Sequence, residues 1–248
     1  MQEKYWKETK YKVDKGRLVP TDEGRYLSGG SYLTAAITAE YYSKYIPKYV
    51  KGVTADLGCG FAPMYQYYKA YAQKVICIDW KNTLHKNRIL DIECDLSQEI
   101  PLTDESVDTV ILSDVLEHIS RPKYLLKEIH RILTPKGALL LNVPFLYPEH
   151  EKPHDYFRYT EFFYRDMARE QGYELAALKK IGGEREVIVT LIGKYMLKRL
   201  GNSNDELIRQ INRHAYHKWK TDRKGRESDM CLGYFAVLTK KCSKGGKT

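Results

Sequence analysis

The chain is 248 residues long and carries 41 Lys and Arg against 32 Asp and Glu, a formal charge of +9. That length holds one well-buried core, and a 43% hydrophobic content with 21 tyrosines excludes an intrinsically disordered chain. No apolar run reaches membrane-spanning length, and the opening MQEKYWKETK has charge where a signal peptide needs an apolar segment, so a cytoplasmic location is expected.

In chain order, a polar leader gives way to SYLTAAITAEYYSKYI, whose apolar residues recur at helical spacing. Residues 1–48 read as a helical leader and 49–248 as the main domain. VTADLG reads as a strand, PMYQYYKAYA as a helix and KVICIDW as a second strand, and a third strand precedes CDLSQEIP. VDTVILSD is the fourth strand, and RPKYLLKEIHRIL is a helix capped by Ser120. TPKG at 134–137 stops that helix before the fifth strand, GALLLNVPF. Thr160 can cap EFFYRDMAREQ, which Gly172 ends. A strand at YELAALKKI, helical stretches around 185–199 and 204–219, and a final strand at CLGYFAVLTK complete the chain. Strands interleaved with helices predict right-handed crossovers and a parallel sheet covered on both faces. The whole positive excess lies in residues 194–248, with 14 Lys or Arg against 5 acids, and a solvated face is its expected use. Five cysteines without a C-x-x-C pair fit a reducing compartment and supply neither a disulfide framework nor a structural zinc site.

In an open α/β sheet, ligands sit at the carboxyl ends of the strands, and the first strand-to-helix turn is the usual cradle. Here Gly58 and Gly60, on either side of Cys59, let the backbone turn tightly and approach a ligand, and Pro63 suits a first helical position. Asp79, followed by Trp80, closes the second strand, where a carboxylate can accept both ribose hydroxyls. A dinucleotide would want a third glycine where the chain has Ala62 and Pro63, and it gives no reason for an acid at Asp56. S-adenosylmethionine gives one, because its ammonium and sulfonium are cationic and a carboxylate just upstream of the glycines can meet them.

Three further segments follow in order. CDLSQEIP offers Asp95 to an adenine amino group, with Leu96 as a flat apolar neighbour. VDTVILSDVLEHI ends in Ser113 and Asp114 at the level of a methionine moiety, and LKEIHRILTPKGALLLNVP supplies a helix, a turn and the next strand. As an ordered set over roughly residues 50–145, these resemble the class I S-adenosylmethionine-dependent methyltransferases of the methyltransferase-type-11 branch. The resemblance implies a Rossmann-like α/β fold: a mostly parallel seven-stranded sheet flanked by helices, with a C-terminal helical insertion before the last strand. It implies S-adenosylmethionine as cofactor, with His118 packed near it. EGRYLSGGSY, residues 23–32, is expected either to fold over the cofactor as a lid hinged at Gly29 and Gly30, with Arg25 reaching the methionine carboxylate, or, equally, to pack as a leader on the outer helices.

Methyl transfer needs an aligned acceptor and a base near the fifth strand's carboxyl end. PEHEKPHDYFRYT, residues 148–160, follows that strand, and PHDYFRYT is similar to the loop of family members associated with sugar and surface-polysaccharide modification. His154 is the expected general base, with Asp155 positioning it and Arg158 shaping the acceptor pocket. The alternative for Asp155 and Arg158 is an ion pair closing the loop. DVLEH holds Asp114, Glu117 and His118, which with His154 could make a divalent-metal site of mixed oxygen and nitrogen ligands, and it is similar to the E-x-x-E-H set of metal-assisted O-methyltransferases. Its first position is Asp, so a divalent metal is not favoured and no metal ligand is assigned. No Asp/Asn-Pro-Pro-Tyr/Phe motif follows the fourth strand and no Pro-Cys pair is placed for a cysteine adduct. The expected acceptor is a hydroxyl or amine of a small molecule or glycan. The first alternative is RNA bound through residues 194–248, with bases stacked on Tyr216 and Trp219. Further alternatives are a non-catalytic cofactor-binding module and, disfavoured by the missing glycine, a nicotinamide-dependent oxidoreductase.

Overall fold

The computed structural model describes residues 3–81, 89–222 and 228–242. Its leader is partly extended rather than helical: β1 (Tyr11–Asp14) and β2 (Arg17–Pro20) form an antiparallel hairpin ahead of helix α1 (Tyr32–Tyr49). The cause is the turn, where Lys15 and Gly16 both take positive φ (47° and 72°), as a two-residue hairpin loop requires.

The main sheet contains β3 (Val53–Leu57), β4 (Lys74–Asp79), β5 (Ile92–Glu93), β6 (Val107–Ser113), β7 (Leu133–Pro144), β8 (Tyr173–Ile181) and β9 (Gly233–Lys240). They lie in the order β5-β4-β3-β6-β7-β9-β8. The pairs from β5 to β7 are parallel, and β9 runs antiparallel between β7 and β8. This is the Rossmann-like, mostly parallel seven-stranded sheet that the sequence predicts. Its middle strands are buried on both faces and read as continuous apolar runs, as in Leu139, Leu140 and Leu141 at 0% exposure.

The helices are α2 (Tyr65–Tyr68), α3 (Pro122–Ile132), α4 (Glu161–Glu170), α5 (Glu184–Leu200) and α6 (Asp205–Thr221). The predicted helix after the glycine loop shortens to the single turn of α2. α3 begins at Pro122, but Ser120 does not cap it: Arg121 holds the cap position, and no side chain bonds there. Thr160 does hold the cap position of α4, again without a side-chain bond. TPKG does not separate α3 from the fifth strand. It bulges inside β7, with Lys136 at φ 64°, while pairing with β6 skips from Leu133 to Ala138. The buried face of α3, formed by Leu125, Leu126, Ile129 and Ile132, packs on one side of the sheet, and α1 packs on the other with Tyr42 and Tyr45 against Phe235.

The α5–α6 pair is the insertion before β9, and it grips the leader. Arg209, 1% exposed, donates to the carbonyls of Leu27 (2.6 Å) and Thr21 (3.4 Å) and to Asp205 (2.8 Å). Gly29 donates to Asp205 at 2.7 Å, and a Cβ there would lie 2.3 Å from the Asp205 carbonyl oxygen. Gly29 and Gly30 are buried close-packing residues, not hinges, because α5 and α6 leave no room for side chains. Arg25 does not reach the strand ends either: it is exposed, ion-paired with Glu23 and laid over Tyr26. No described helix is long and apolar enough to cross a membrane.

Candidate active site

The glycine loop joins the carboxyl end of β3 to α2. Gly58 has φ +64°, and a Cβ on it would come within 2.6 Å of Val115, so only glycine fits. The Gly58 and Cys59 amides both donate to the Ile78 carbonyl, at 2.8 and 3.1 Å. Asp79 receives the Gly60 amide on one oxygen and the Trp80 amide on the other, each at 2.8 Å, which locks the loop to the end of β4. Asp56 is 4% exposed and accepts the Tyr68 hydroxyl at 2.6 Å. Burial, against the Tyr68 bond and aided by Asp79, pushes its carboxyl up to about 7. Beyond Trp80 lies a cavity of about 250 Å³ lined also by Lys81, Glu93, Cys94 and Asp95. Asp95 is exposed and accepts the Ser97 amide, whereas Leu96 is buried in the core.

One strand over, the ends of β6 and β7 form a polar network. Asn142 donates to Asp114 and accepts from Ser113 (2.8 Å) and Tyr42 (2.7 Å). Lys10 reaches Asp114 from the leader at 2.9 Å. Burial opposes the Lys10 charge, but Asp114 outweighs it and lifts the ammonium above its ordinary range. The Trp6 indole donates to the Ala62 carbonyl at 2.9 Å. The part of the leader over the strand ends is therefore residues 6–10, not the expected 23–32. Beside this network is a cavity of about 160 Å³, lined by Lys10, Asp114, Asn142, Tyr147, His150 and Glu151, with Ser31, Thr34 and Thr38 from the α1 side.

The loop after β7 places its two histidines apart. His150 lines the cavity, with Nε2 3.5 Å from Glu117 and Nδ1 3.4 Å from Asp155. Burial disfavours its charge, Glu117 more than offsets this, and the imidazole titrates above its usual range. His154 lies outside that lining: its ring meets Trp80 edge-on at 5.1 Å, and Nδ1 is 2.9 Å from the Tyr156 hydroxyl. Asp155 makes a two-pronged ion pair with Arg158, which holds its carboxyl well below the usual range, and it also accepts the His150 amide at 2.9 Å. The expected Asp155–His154 pairing is not formed, since Asp155 is committed to Arg158 and His150.

His118 presents Nδ1 to the His154 carbonyl at 2.8 Å and lies edge-on to His150. Glu117 is 0% exposed, and burial raises its carboxyl above the ordinary range. Lys10, Asn142 and His150 are site residues that the sequence did not single out as such, whereas Glu117 stood out only within DVLEH. For the first three, only the concentration of histidines in 148–160 gave a local signal. At the basic end, Trp219 is buried and packs edge-on to Tyr41, and Tyr216 donates to Glu40, so neither is a free stacking surface. The remainder of that end, 223–227 and 243–248, lies outside the described residues.

Residues 55–141 match the family model of the methyltransferase domain. A Mycobacterium tuberculosis protein described as a probable S-adenosylmethionine-dependent methyltransferase is 27% identical over 109 residues, covering 42% of this chain and 39% of that protein. A rat thiol S-methyltransferase is 30% identical over 134 residues, 44% of this chain and 54% of that protein. The chain thus spans about half or less of the length of these curated relatives. Among solved structures, the cyclase SpnF superposes with a TM-score of 0.57 at 14% identity, covering 95% of this chain and 87% of that one, a likeness of fold alone. Through its glycine loop and the ordered strands behind it, the chain carries over residues 55–141 a methyltransferase domain, similar to those of S-adenosylmethionine-dependent methyltransferases.

Proposed function

We propose that the protein methylates a hydroxyl or amine of a small polar or sugar-like acceptor held in the cavity beside Asp114. The observation that carries this reading is the adjacency of two sites at neighbouring strand ends: the glycine loop with Asp56 and Asp79, and the polar cavity at β6 and β7.

The family's cofactor fits the first site on two counts. The loop approaches Val115 too closely for any Cβ at Gly58, and Asp56 is a buried carboxyl whose raised value of about 7 marks the want of a nearby cation. Asp56 would meet the ammonium of S-adenosylmethionine, Asp79 the ribose, Trp80 and Asp95 the adenine side, and Ser113 and Asp114 the methionine end. When bound, S-adenosylmethionine supplies a methyl carbon activated by positive sulfur. The chain's own residues bind the acceptor, orient it and draw off its proton.

Ser31, Thr34, Asn142 and Tyr147 give the cavity hydrogen-bonding walls, and the Thr34 hydroxyl is buried without a partner. Such a lining suits an acceptor with several hydroxyls or an amine. The rat relative's name specifies a thiol acceptor, which has less use for these groups. The proton is taken on the side where Glu151 lines the cavity beside His150, which Asp155 and Arg158 hold in place. His154 is assigned to cover the adenosine side with Trp80 rather than to act as base.

The test is to incubate the protein with methyl-labelled S-adenosylmethionine and a cell extract, then divide the label by RNase. Label in RNase-resistant metabolites or glycans supports the proposal. RNase-sensitive label would replace the acceptor with RNA, and absent label with intact S-adenosylhomocysteine binding would indicate a binding module.

A further inference from the structure

We propose that Glu117, His118 and His150 bind one divalent transition-metal ion in the wall of the acceptor cavity. One ligand atom from each of the three lies within 4.8 Å of the other two. Ligand bonds of about 2.0–2.2 Å place neighbouring ligand atoms about 3–4 Å apart, so small side-chain movements close the set.

The hydrogen-bond geometry suits a cation. The His118 Nδ1 faces the His154 carbonyl at 2.8 Å, and a carbonyl only accepts, so that nitrogen carries the proton. Nε2 is then a lone pair, buried and without a hydrogen-bond partner, 3.7 Å from the Glu117 carboxylate. Among the described residues neither oxygen of Glu117 has a hydrogen-bond partner, although the side chain is 0% exposed. Two buried polar groups thus face each other without a hydrogen bond between them, an arrangement that a bound cation would satisfy.

The third ligand is held from behind. Asp155 contacts His150 Nδ1 at 3.4 Å and its amide at 2.9 Å, and Arg158 fixes Asp155, which leaves His150 Nε2 turned to Glu117 at 3.5 Å. Carboxylates behind ligating histidines are the usual support of such sites. Glu151, 3.8 Å from His118 Nε2, offers a further oxygen at the cavity. Asp114 is not a member, because Lys10 and Asn142 occupy its oxygens. The set therefore differs from the one that the spacing of DVLEH suggests. Two imidazoles with a carboxylate select Mn²⁺, Fe²⁺ or Zn²⁺ over Mg²⁺ or Ca²⁺. The ion's use rests on the methyl-transfer reading: it offers an open position to an acceptor oxygen, which makes a hydroxyl the favoured group.

The experiment is calorimetric titration of the chelator-stripped full chain with MnCl₂ and with ZnCl₂, with S-adenosylhomocysteine binding measured in parallel. One ion per chain is expected, with about 100-fold weaker binding in Glu117→Gln and in His150→Ala, and about 10-fold weaker in Asp155→Asn. Pulsed EPR of bound Mn²⁺ should show imidazole nitrogens that diminish in His150→Ala. No stoichiometric binding at millimolar ion, or affinity unchanged in both ligand variants, overturns the site. S-adenosylhomocysteine binding without the ion leaves methyl transfer standing and removes the metal, while ion binding without S-adenosylhomocysteine does the reverse. Retained S-adenosylhomocysteine binding by Glu117→Gln also shows that the variant is folded.

Discussion

Asp56→Asn should flatten the pH dependence of stability. The buried Asp56 carboxyl is held at about 7 against an ordinary 3.8. Between those values the unfolded chain has released the proton while the native state keeps it, so raising the pH weakens the native state throughout the window. At about 1.4 kcal/mol per pH unit, the full cost above pH 7 is on the order of 4 kcal/mol, of which about 2.5 kcal/mol falls between pH 5 and pH 8. Asparagine carries no charge and can still accept the Tyr68 hydroxyl, so the variant loses the penalty and keeps the bond. Urea unfolding of both proteins at pH 5 and pH 8 measures the effect: the variant's stability relative to the native chain should rise by about 2.5 kcal/mol across that interval. A relative stability that stays constant, or falls, with pH would refute the account of Asp56. In the same proteins, S-adenosylhomocysteine should bind the variant at least about 10-fold more weakly, because a charge-assisted contact to its ammonium is lost.

Other expectations follow from packing. Gly58→Ala combines a φ of +64° with a Cβ 2.6 Å from Val115, and should weaken S-adenosylhomocysteine binding by more than about 10-fold. Adding Val115→Ala should recover part of that affinity in calorimetry, and no recovery would mean that the contact is not the cause. Arg209→Leu leaves the Leu27 and Thr21 carbonyls unpaired and should cost about 3 kcal/mol in urea unfolding, with faster tryptic cleavage after Arg25. Unchanged cleavage would show that Arg209 does not hold the leader. His154→Ala removes the ring against Trp80 and should raise the S-adenosylhomocysteine Kd several-fold while leaving kcat within about 3-fold. A kcat loss of 100-fold or more would return His154 to the role of base.

The cofactor half was readable because its determinants are local. β3, β4, β6 and β7 announce themselves as apolar runs, and the Gly58 turn sits where an open α/β sheet puts its ligand. The rest depends on contacts between distant parts of the chain. Lys10 and Asp114 meet across 104 positions, and no periodicity connects them. Gly29 and Gly30 read equally well as hinges or as close-packing points until Asp205 and Arg209 are brought against them. The loop after β7 has no repeating pattern, so the choice between His150 and His154 falls to the Asp155–Arg158 clamp. The hairpin carried a legible signal in Lys15-Gly16 between apolar alternations, overlooked because its strands are only four residues each.

The position of β9 sets an order on the ribosome. Among the described residues β8 pairs with β9 alone, and Leu232 and Gly233, at the entry to β9, form part of the cavity wall. Every strand around the glycine loop has been made by Pro144, whereas β8 must wait for the whole α5–α6 pair to emerge before its partner exists. At synthesis rates of about 5–20 residues per second, that interval lasts roughly 5–20 s. The strands that carry the glycine loop are therefore complete before the last part of the acceptor-cavity wall, at Leu232 and Gly233, is made.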